Sequence, residues 1–226
     1  MADMNPKELK SPGAFQSKIE IITDYFEKNK KRVYIGLGVF FAVILMFIGW
    51  YIYRMDYEKN AQKLYAGAFS VYHLSPPGPE TSMRAIKMYG ELEKKFPGSS
   101  AASNALFSMG NLYYGLNDLD RSILAYKDFL NASGIRKDLR SMAYNGLGYC
   151  YEAKGDLDKA LESYEKSIPN AMGGAVLSAT YSNMAGIYLE KKDKKKALEY
   201  YKKAHEQKND PVLDSMIKRK ISELEA

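Results

Sequence analysis

The sequence predicts an all-α protein: a single N-terminal transmembrane helix, then an α-solenoid of about four helical hairpins with a C-terminal capping helix. Three observations predict this fold class. Residues 33–53 contain no charged side chain. In the chain that follows, a pattern of small and aromatic residues recurs at nearly constant spacing. After the last copy of that pattern, an amphipathic segment closes the chain.

The composition excludes several classes of protein. Among 226 residues, 33 are Lys or Arg and 27 are Asp or Glu, and the resulting charge of +6 is too mild to require nucleic-acid binding. A mean hydropathy of −0.39 excludes a polytopic membrane protein. The single cysteine, Cys150, excludes an intrachain disulfide, and with only His73 and His205 it cannot form the usual His/Cys metal site. No nucleotide-binding or nucleophile motif occurs. We therefore expect a protein that is not an enzyme and holds no cofactor.

The charge-free stretch, residues 33–53, is long enough to cross a bilayer, because a helix needs about 20 residues to span the hydrocarbon layer. Tyr34 lies at one end, and Trp50, Tyr51 and Tyr53 lie at the other, where aromatic rings suit the headgroup region. A buried core helix is the first alternative, but such helices are seldom so long and apolar. A cleaved signal peptide is the second, but the run is too long and no small-residue cleavage site follows it. We predict an uncleaved signal anchor.

The charges flanking the anchor predict its orientation. Five Lys or Arg lie within 20 residues before the span and three lie within 20 residues after it, and four of the five cluster at residues 28–32. The positive-inside bias therefore predicts a cytoplasmic N-terminal segment, residues 1–32, and a domain across the membrane, residues 54–226. Within the first segment, Phe15, Ile19, Ile22 and Phe26 form one apolar face of a predicted amphipathic helix.

Internal repetition indicates the fold of residues 54–226. The segment 143–168 matches the pattern of the 34-residue tetratricopeptide repeat, and the same pattern recurs upstream and downstream. Position 8 falls at residues 110, 148 and 185, so the copies are 38 and 37 residues apart and the extra residues belong in loops. Small residues at two positions let paired helices approach, and an aromatic residue fills the gap beside them. These residues are Gly110, Gly148 and Ala185 at position 8, Ser122, Ala160 and Ala197 at position 20, and Tyr126, Tyr164 and Tyr201 at position 24.

The pattern also predicts where helices start and end. Asp118, Asp156 and Asp193 follow the turn inside each repeat, where a short carboxylate can cap the next helix. Residues 57–74 form the first helix of a degenerate first repeat, which the run 76–79 (PPGP) ends. After Asp210 and Pro211, an amphipathic segment supplies the terminal cap.

Positions 2, 5, 9 and 12 of the first helix in such repeats face the concave side, so they define a candidate partner-binding groove. None of these residues is Lys or Arg, which argues against the family's clamp for C-terminal carboxylates. An aromatic and amide surface suits an extended peptide, because rings supply area and amides satisfy the peptide backbone. The alternative is that these residues contact neighbouring repeats or the last helix and bind nothing. The predicted groove residues are Asn104, Phe107, Asn111, Tyr114, Met142, Asn145, Tyr149, Glu152, Ser182 and Leu189, with the small residues Ala179 and Gly186 at the two remaining positions.

The whole layout resembles the YfgM-like ancillary subunits of the bacterial SecYEG translocon. The resemblance is carried by the segment 19–29 (IEIITDYFEKN), the Ile48-Gly49-Trp50 end of the span, residues 61–72 and the terminal segment 210–221. It implies a single-pass inner-membrane protein with a periplasmic repeat domain. As partners it implies the Sec translocon, a membrane-anchored periplasmic prolyl isomerase and exported polypeptides. The family carries no catalytic residues.

Three functions therefore stay open. The first is a translocon accessory with a chaperone-like role for exported proteins. The second is a structural scaffold for an envelope complex that binds no unfolded client. The third reverses the topology and makes the chain a cytosol-facing, membrane-tethered receptor, which only the charge asymmetry opposes.

Overall fold

The structure is a computed structural model that describes residues 12–132, 137–207 and 211–226, with side chains from residue 16 onward. Residues 1–11 of the predicted cytoplasmic segment, the Phe15 side chain and Asp210 lie outside this description. The described residues form ten α-helices and no strand. Their bounds are α1 Pro12–Lys28, α2 Lys30–Leu74, α3 Pro79–Lys95, α4 Ser100–Gly115, α5 Leu119–Asn131, α6 Lys137–Ala153, α7 Leu157–Ser167, α8 Gly174–Glu190, α9 Lys194–His205 and α10 Pro211–Glu225.

The chain divides into two compact units between Asp56 and Tyr57. In the first unit, helix α1 has its predicted apolar residues Ile19, Ile22 and Phe26 at the surface. The apolar part of α2 has a mean hydropathy of 2.4 over its most apolar 18 residues, and none of that window is buried. By length and composition, α2 is therefore a candidate membrane span.

The second unit contains the predicted helical hairpins. The C-terminal part of α2 precedes α3, and the pairs α4 with α5, α6 with α7 and α8 with α9 follow. The largest group of buried side chains joins the first two hairpins, with Ala61, Ala85, Tyr89, Leu92 and Ala105 among its members. Further clusters follow along the chain between successive hairpins. A core of this kind is built from neighbouring repeats, as in other solenoids.

Paired helices approach closely where the sequence places glycine. A Cβ atom built at Gly110 would lie 2.7 Å from the Tyr126 ring, and one at Gly148 would lie 2.4 Å from the Tyr164 ring. Real Cβ atoms do not tolerate such distances, so no larger residue fits without displacing the ring. The predicted roles of the small and aromatic repeat positions are confirmed for these two hairpins.

Each of the last three hairpins turns in the same way. Asn117, Gly155 and Lys192, at equivalent repeat positions, all have positive φ angles, of 58°, 75° and 62°. The aspartate that follows each of them caps the next helix, as predicted: its carboxylate accepts a hydrogen bond from the backbone N–H three residues later. The N–O distances are 3.2 Å for Asp118, 3.3 Å for Asp156 and 3.0 Å for Asp193.

Helix α4, the first helix of the second hairpin, is capped differently, by a side chain from the first hairpin. Glu58 of α2 reaches the start of α4 and accepts hydrogen bonds from the backbone N–H groups of Ser100 at 3.1 Å and Ala101 at 3.2 Å. Burial favours a higher pKa for Glu58, but the hydrogen bonds from Ser100 and Ala101 outweigh it and lower the pKa. A carboxylate from another helix thus satisfies amide groups that a helix start leaves unpaired.

The terminal helix α10 covers the last hairpin. Ile217 is 1% exposed and packs against a cluster that includes Ala185, Tyr201 and Ala204. Its predicted capping role therefore has a physical basis, because α10 buries apolar surface that the last repeat would otherwise expose.

Candidate functional site

Six of the predicted groove residues line one open cavity of about 630 Å³, which we call the central pocket. They come from two successive repeat helices, α4 and α6, whose matching positions face the same side. The start of α8 closes the far wall of the pocket. The predicted lining residues are Phe107, Asn111, Tyr114, Met142, Asn145 and Tyr149, together with Ala179 at position 2 of its repeat, and the further ones are Tyr126, Gly146, Ala175 and Val176.

A second cavity of about 400 Å³, the aromatic pocket, adjoins the central pocket. Phe107 and Asn111 line both cavities, so the two pockets are adjacent, and we call them together the groove. The predicted residue Asn104 lies here as well. The remaining walls come from the first hairpin, from α4 and from the start of α6, through Tyr65, Phe69, Tyr72, His73, Tyr89, Ser108, Leu112 and Leu139.

Sequence reasoning missed the contribution of α2 to this groove, because the first repeat has lost the repeat signature. A signal was nevertheless present. Tyr65, Phe69 and Tyr72 are spaced by four and three residues, which places three rings on one face of a helix. The rings are close in the structure: the centroids of Tyr65 and Phe69 lie 6.4 Å apart, and those of Phe69 and His73 lie 4.0 Å apart.

The groove surface is aromatic and open to solvent. Tyr114 is 41% exposed and Tyr149 is 38% exposed, and their ring centroids lie 6.3 Å apart. Behind them, the Tyr149 ring packs edge-on against the buried Tyr164 ring at 5.8 Å. A buried ring therefore supports Tyr149, and exposed tyrosines of this kind offer contact area at low entropic cost.

Hydrogen bonds fix the polar side chains of the groove. The Tyr126 hydroxyl donates to Oδ1 of Asn111 at 2.6 Å, and Nδ2 of Asn183 donates to the Tyr149 hydroxyl at 3.0 Å. Burial raises the pKa of Tyr126 and Tyr114, and it raises the pKa of Tyr89 to about 12. These phenols therefore stay neutral at physiological pH and keep their protons for hydrogen bonding.

No Asp, Glu, Lys or Arg lines either pocket within the described part of the chain. This is a sharp contrast with the chain as a whole, of which 27% is charged. The charged side chains lie elsewhere, for example in ion pairs between successive repeats, such as Lys154 with Asp120 and Lys191 with Asp158, both at 2.5 Å. The described groove is thus a surface without Asp, Glu, Lys or Arg on a protein rich in charged residues.

Three predicted groove residues line neither pocket. Glu152 is exposed and accepts a hydrogen bond from the Tyr164 hydroxyl at 2.9 Å. Leu189 packs against the cluster beneath α10, because the terminal helix occupies that end of the solenoid. Ser182 is half-buried on α8. The groove predicted over three repeats is therefore formed by the first three hairpins and the start of α8.

Comparison with known proteins identifies the repeats. Residues 139–210 match the sequence model of the tetratricopeptide repeat family. No curated protein sequence matches the chain significantly. Among solved structures, the chain is similar to a putative kinesin light chain from Podosopora anserina with nearly identical TPR-like repeats. Their identity is 10%, the similarity covers 75% of this chain and 84% of that one, and the TM-score is 0.52.

A MamA RS-1 ArsTM double mutant is similar at 17% identity, over 75% of this chain and 95% of that one, with a TM-score of 0.50. These likenesses concern the fold. The tetratricopeptide fold is generally a non-catalytic scaffold for protein interactions, and the matches indicate no enzyme family. Residues 139–210 therefore match the tetratricopeptide repeat, and the described helical hairpins have a tetratricopeptide-like fold.

Proposed function

We propose that the two adjacent pockets act as one groove that binds extended polypeptide segments of partner proteins. The observation that carries the proposal is the central pocket, where six side chains predicted from the repeat frame surround one cavity of about 630 Å³. Its exposed tyrosines and amides are the groups that bind a peptide without demanding one sequence. Such a surface is open along its length, which suits an extended chain better than a small molecule.

We further propose that residues 33–53 anchor this groove to a membrane. Large apolar side chains such as Phe47 and Trp50 are more than half exposed on α2, and a continuous surface of this kind is unfavourable in water. The basic cluster at residues 28–32 favours a cytoplasmic N-terminal segment, residues 1–32. The repeat domain, residues 54–226, then lies on the periplasmic side of a bacterial inner membrane.

In this setting the protein acts as an accessory of the Sec translocon with a chaperone-like role. The resemblance of the anchor region and terminal segment to YfgM-like subunits supports this assignment. A groove that is tethered to the membrane through residues 33–53 can meet exported polypeptides before they fold. The Sec translocon and a membrane-anchored prolyl isomerase are the expected neighbours.

Photocrosslinking in living cells tests these proposals together. A photoreactive residue at Tyr149 samples the groove, one at Tyr51 samples the outer end of the anchor, and one at Leu124 is the control. Leu124 is 58% exposed and lines neither pocket. We expect crosslinks to newly exported chains at Tyr149, crosslinks to the Sec channel at Tyr51 and neither at Leu124.

Combining Tyr114→Ala with Tyr149→Ala should abolish client capture by a probe at Met142 and leave the circular dichroism unchanged.

Other outcomes identify the alternatives. Crosslinks to one folded envelope protein, with no exported chains, favour a structural scaffold. Crosslinks to cytosolic factors at Tyr149 indicate the opposite membrane orientation and favour a cytosol-facing receptor. If the double alanine variant captures clients as well as the parent chain does, the groove is not the binding site.

A further inference from the structure

We infer that the groove selects uncharged segments with apolar rings, and that Asn111 holds such a segment by donating a hydrogen bond to its backbone. This inference rests on the proposed peptide-binding function and deepens it by naming the chemistry of the occupant. Two observations carry it: the neutral lining of both pockets, and the hydrogen bonding of Asn111 where the pockets meet.

The neutral lining discriminates against charge. A charged side chain entering either pocket leaves water and finds no described Asp, Glu, Lys or Arg on the pocket walls to compensate it. The polar groups that line the pockets are hydroxyls, amides and the His73 imidazole, and they recover only part of the lost hydration. An apolar ring has no charge to desolvate, and it contacts Phe69 and Phe107. Selection therefore comes from the cost of burying charge rather than from a specific contact.

The hydrogen bond from Tyr126 leaves the Asn111 amide nitrogen available. The O–O distance of 2.6 Å is typical of a hydroxyl donating to a carbonyl oxygen, which places Oδ1 of Asn111 toward Tyr126. Its Nδ2 group then has two N–H donors without a hydrogen-bond partner among the described residues. Asn111 is exposed and lines both pockets. A peptide that occupies both pockets passes this donor, and a backbone carbonyl of the peptide can accept a hydrogen bond from it.

The aromatic pocket favours peptides that carry an aromatic side chain. Its rings come from α2 and α3 and, through Phe107, from α4, all outside the residues that the tetratricopeptide model matches. Phe69 and Tyr72 are 46% and 40% exposed, so their faces are available to a ligand. An aromatic side chain of the peptide can enter here while the backbone crosses Asn111, because the two pockets share that residue.

Peptide binding to the full-length chain in detergent tests the inference. The probes are labelled decapeptides of Ser and Gly with blocked termini, which carry two Phe, two Lys or two Glu at matched positions. We expect the Phe peptide to bind at least about tenfold more tightly than either charged peptide, because an apolar ring is buried and no charge is desolvated. Phe69→Ala should weaken the Phe peptide, whereas Leu74→Ala, at an 84% exposed site on the same helix, should not.

The variant Asn111→Asp tests the backbone contact. Aspartate keeps an oxygen for the Tyr126 hydroxyl but has no N–H group, so the fold should persist while the donor is lost. We expect the Phe peptide to bind about tenfold more weakly, because one hydrogen bond to its backbone is lost. Asn131→Asp makes the same charge change at an exposed residue outside both pockets and should bind normally.

The outcomes separate this inference from the proposed function. If all three peptides bind equally well to the parent chain, the selectivity is wrong and peptide binding stands. If Asn111→Asp binds the Phe peptide normally at an unchanged melting temperature, the backbone contact is wrong. If no peptide binds and no exported chain is crosslinked at Tyr149, the proposed function fails as well.

Discussion

The Tyr126 ring lies directly over the backbone of Gly146, and a Cβ atom built at Gly146 would be only 2.4 Å from the ring carbon Cζ. The two residues belong to successive repeats, because Tyr126 is on α5 and Gly146 is on α6. The hydroxyl of the same ring holds Asn111 in the groove. One tyrosine therefore packs two repeats together and orients a groove side chain.

This contact predicts a large effect for a single methyl group. Gly146→Ala should lower the free energy of unfolding by about 1–3 kcal/mol, because the Tyr126 ring is buried and cannot move aside without repacking. It should also weaken peptide binding by displacing Asn111. Denaturant unfolding of the full-length chain in detergent measures the first effect, and peptide titration measures the second.

Gly90→Ala is the matched control for Gly146→Ala. Gly90 is also inside a helix, but a Cβ atom built there meets nothing within 4 Å. Alanine should therefore stabilise the chain by about 0.5–1 kcal/mol through its helix propensity. If both substitutions change stability in the same direction, the close approach of Tyr126 to Gly146 does not determine the packing.

The sequence predicted the parts of the fold that depend on local physics. The caps at Asp118, Asp156 and Asp193 follow from the position of a short carboxylate after a turn. The approach of Tyr126 to Gly146 is not predictable in this way, because it joins adjacent repeats whose separation depends on the intervening loop. Leu189 shows the same limit: its repeat position predicts a groove residue, but α10 packs over that end of the solenoid.

The aromatic pocket was missed for a different reason. The repeat frame finds groove residues only where the signature is intact, and the first repeat keeps its helices without keeping the signature. The spacing of Tyr65, Phe69 and Tyr72 places their rings on one helix face, but spacing does not say whether that face is buried or open. Whether this face is buried depends on how α3, the hairpin partner of α2, packs against it, and this is a long-range contact.

The left-handed turns predict opposite effects for two substitutions. Gly155→Ala should destabilise the chain by roughly 1–2 kcal/mol, because alanine resists a φ of 75°. The position is otherwise open, so the cost comes from the backbone alone. Lys192→Gly, at a φ of 62°, should relieve the same strain in the next repeat and leave stability unchanged or higher. Thermal unfolding of both variants checks the pair, and a stable Gly155→Ala variant would contradict the role of the turn.

Glu58 predicts a pH-dependent contribution to stability. Its pKa in the folded chain lies below the ordinary value of 4.5, so folding favours the ionised form. The contribution is complete above the pKa of the unfolded chain and disappears as pH falls through the lowered pKa. Glu58→Gln should therefore cost about 1 kcal/mol at neutral pH, comparable to the loss of a helix cap, and progressively less in acid.

Denaturant unfolding of the parent chain and of Glu58→Gln, between neutral pH and acid, measures the difference in their free energies of unfolding. The control is Glu93→Gln, an exposed residue on α3. A Glu58→Gln variant whose deficit stays constant as the pH falls would show that the loss arises from packing and not from the charge on the carboxylate.

The terminal helix predicts a local loss of order that spares the groove. Ile217→Ala removes the most deeply buried side chain of α10 and should cost about 2–4 kcal/mol. Because each repeat contacts mainly its neighbours, we expect amide hydrogen exchange to rise first in α10 and α9. Neither pocket is lined by those helices, so peptide binding should persist at temperatures below the melting transition.

The control is Met216→Ala, at a neighbouring residue that is 54% exposed, and it should change neither hydrogen exchange nor peptide binding. Loss of peptide binding in Ile217→Ala, with exchange raised evenly through all the hairpins, would instead mean that the solenoid unfolds as one cooperative unit.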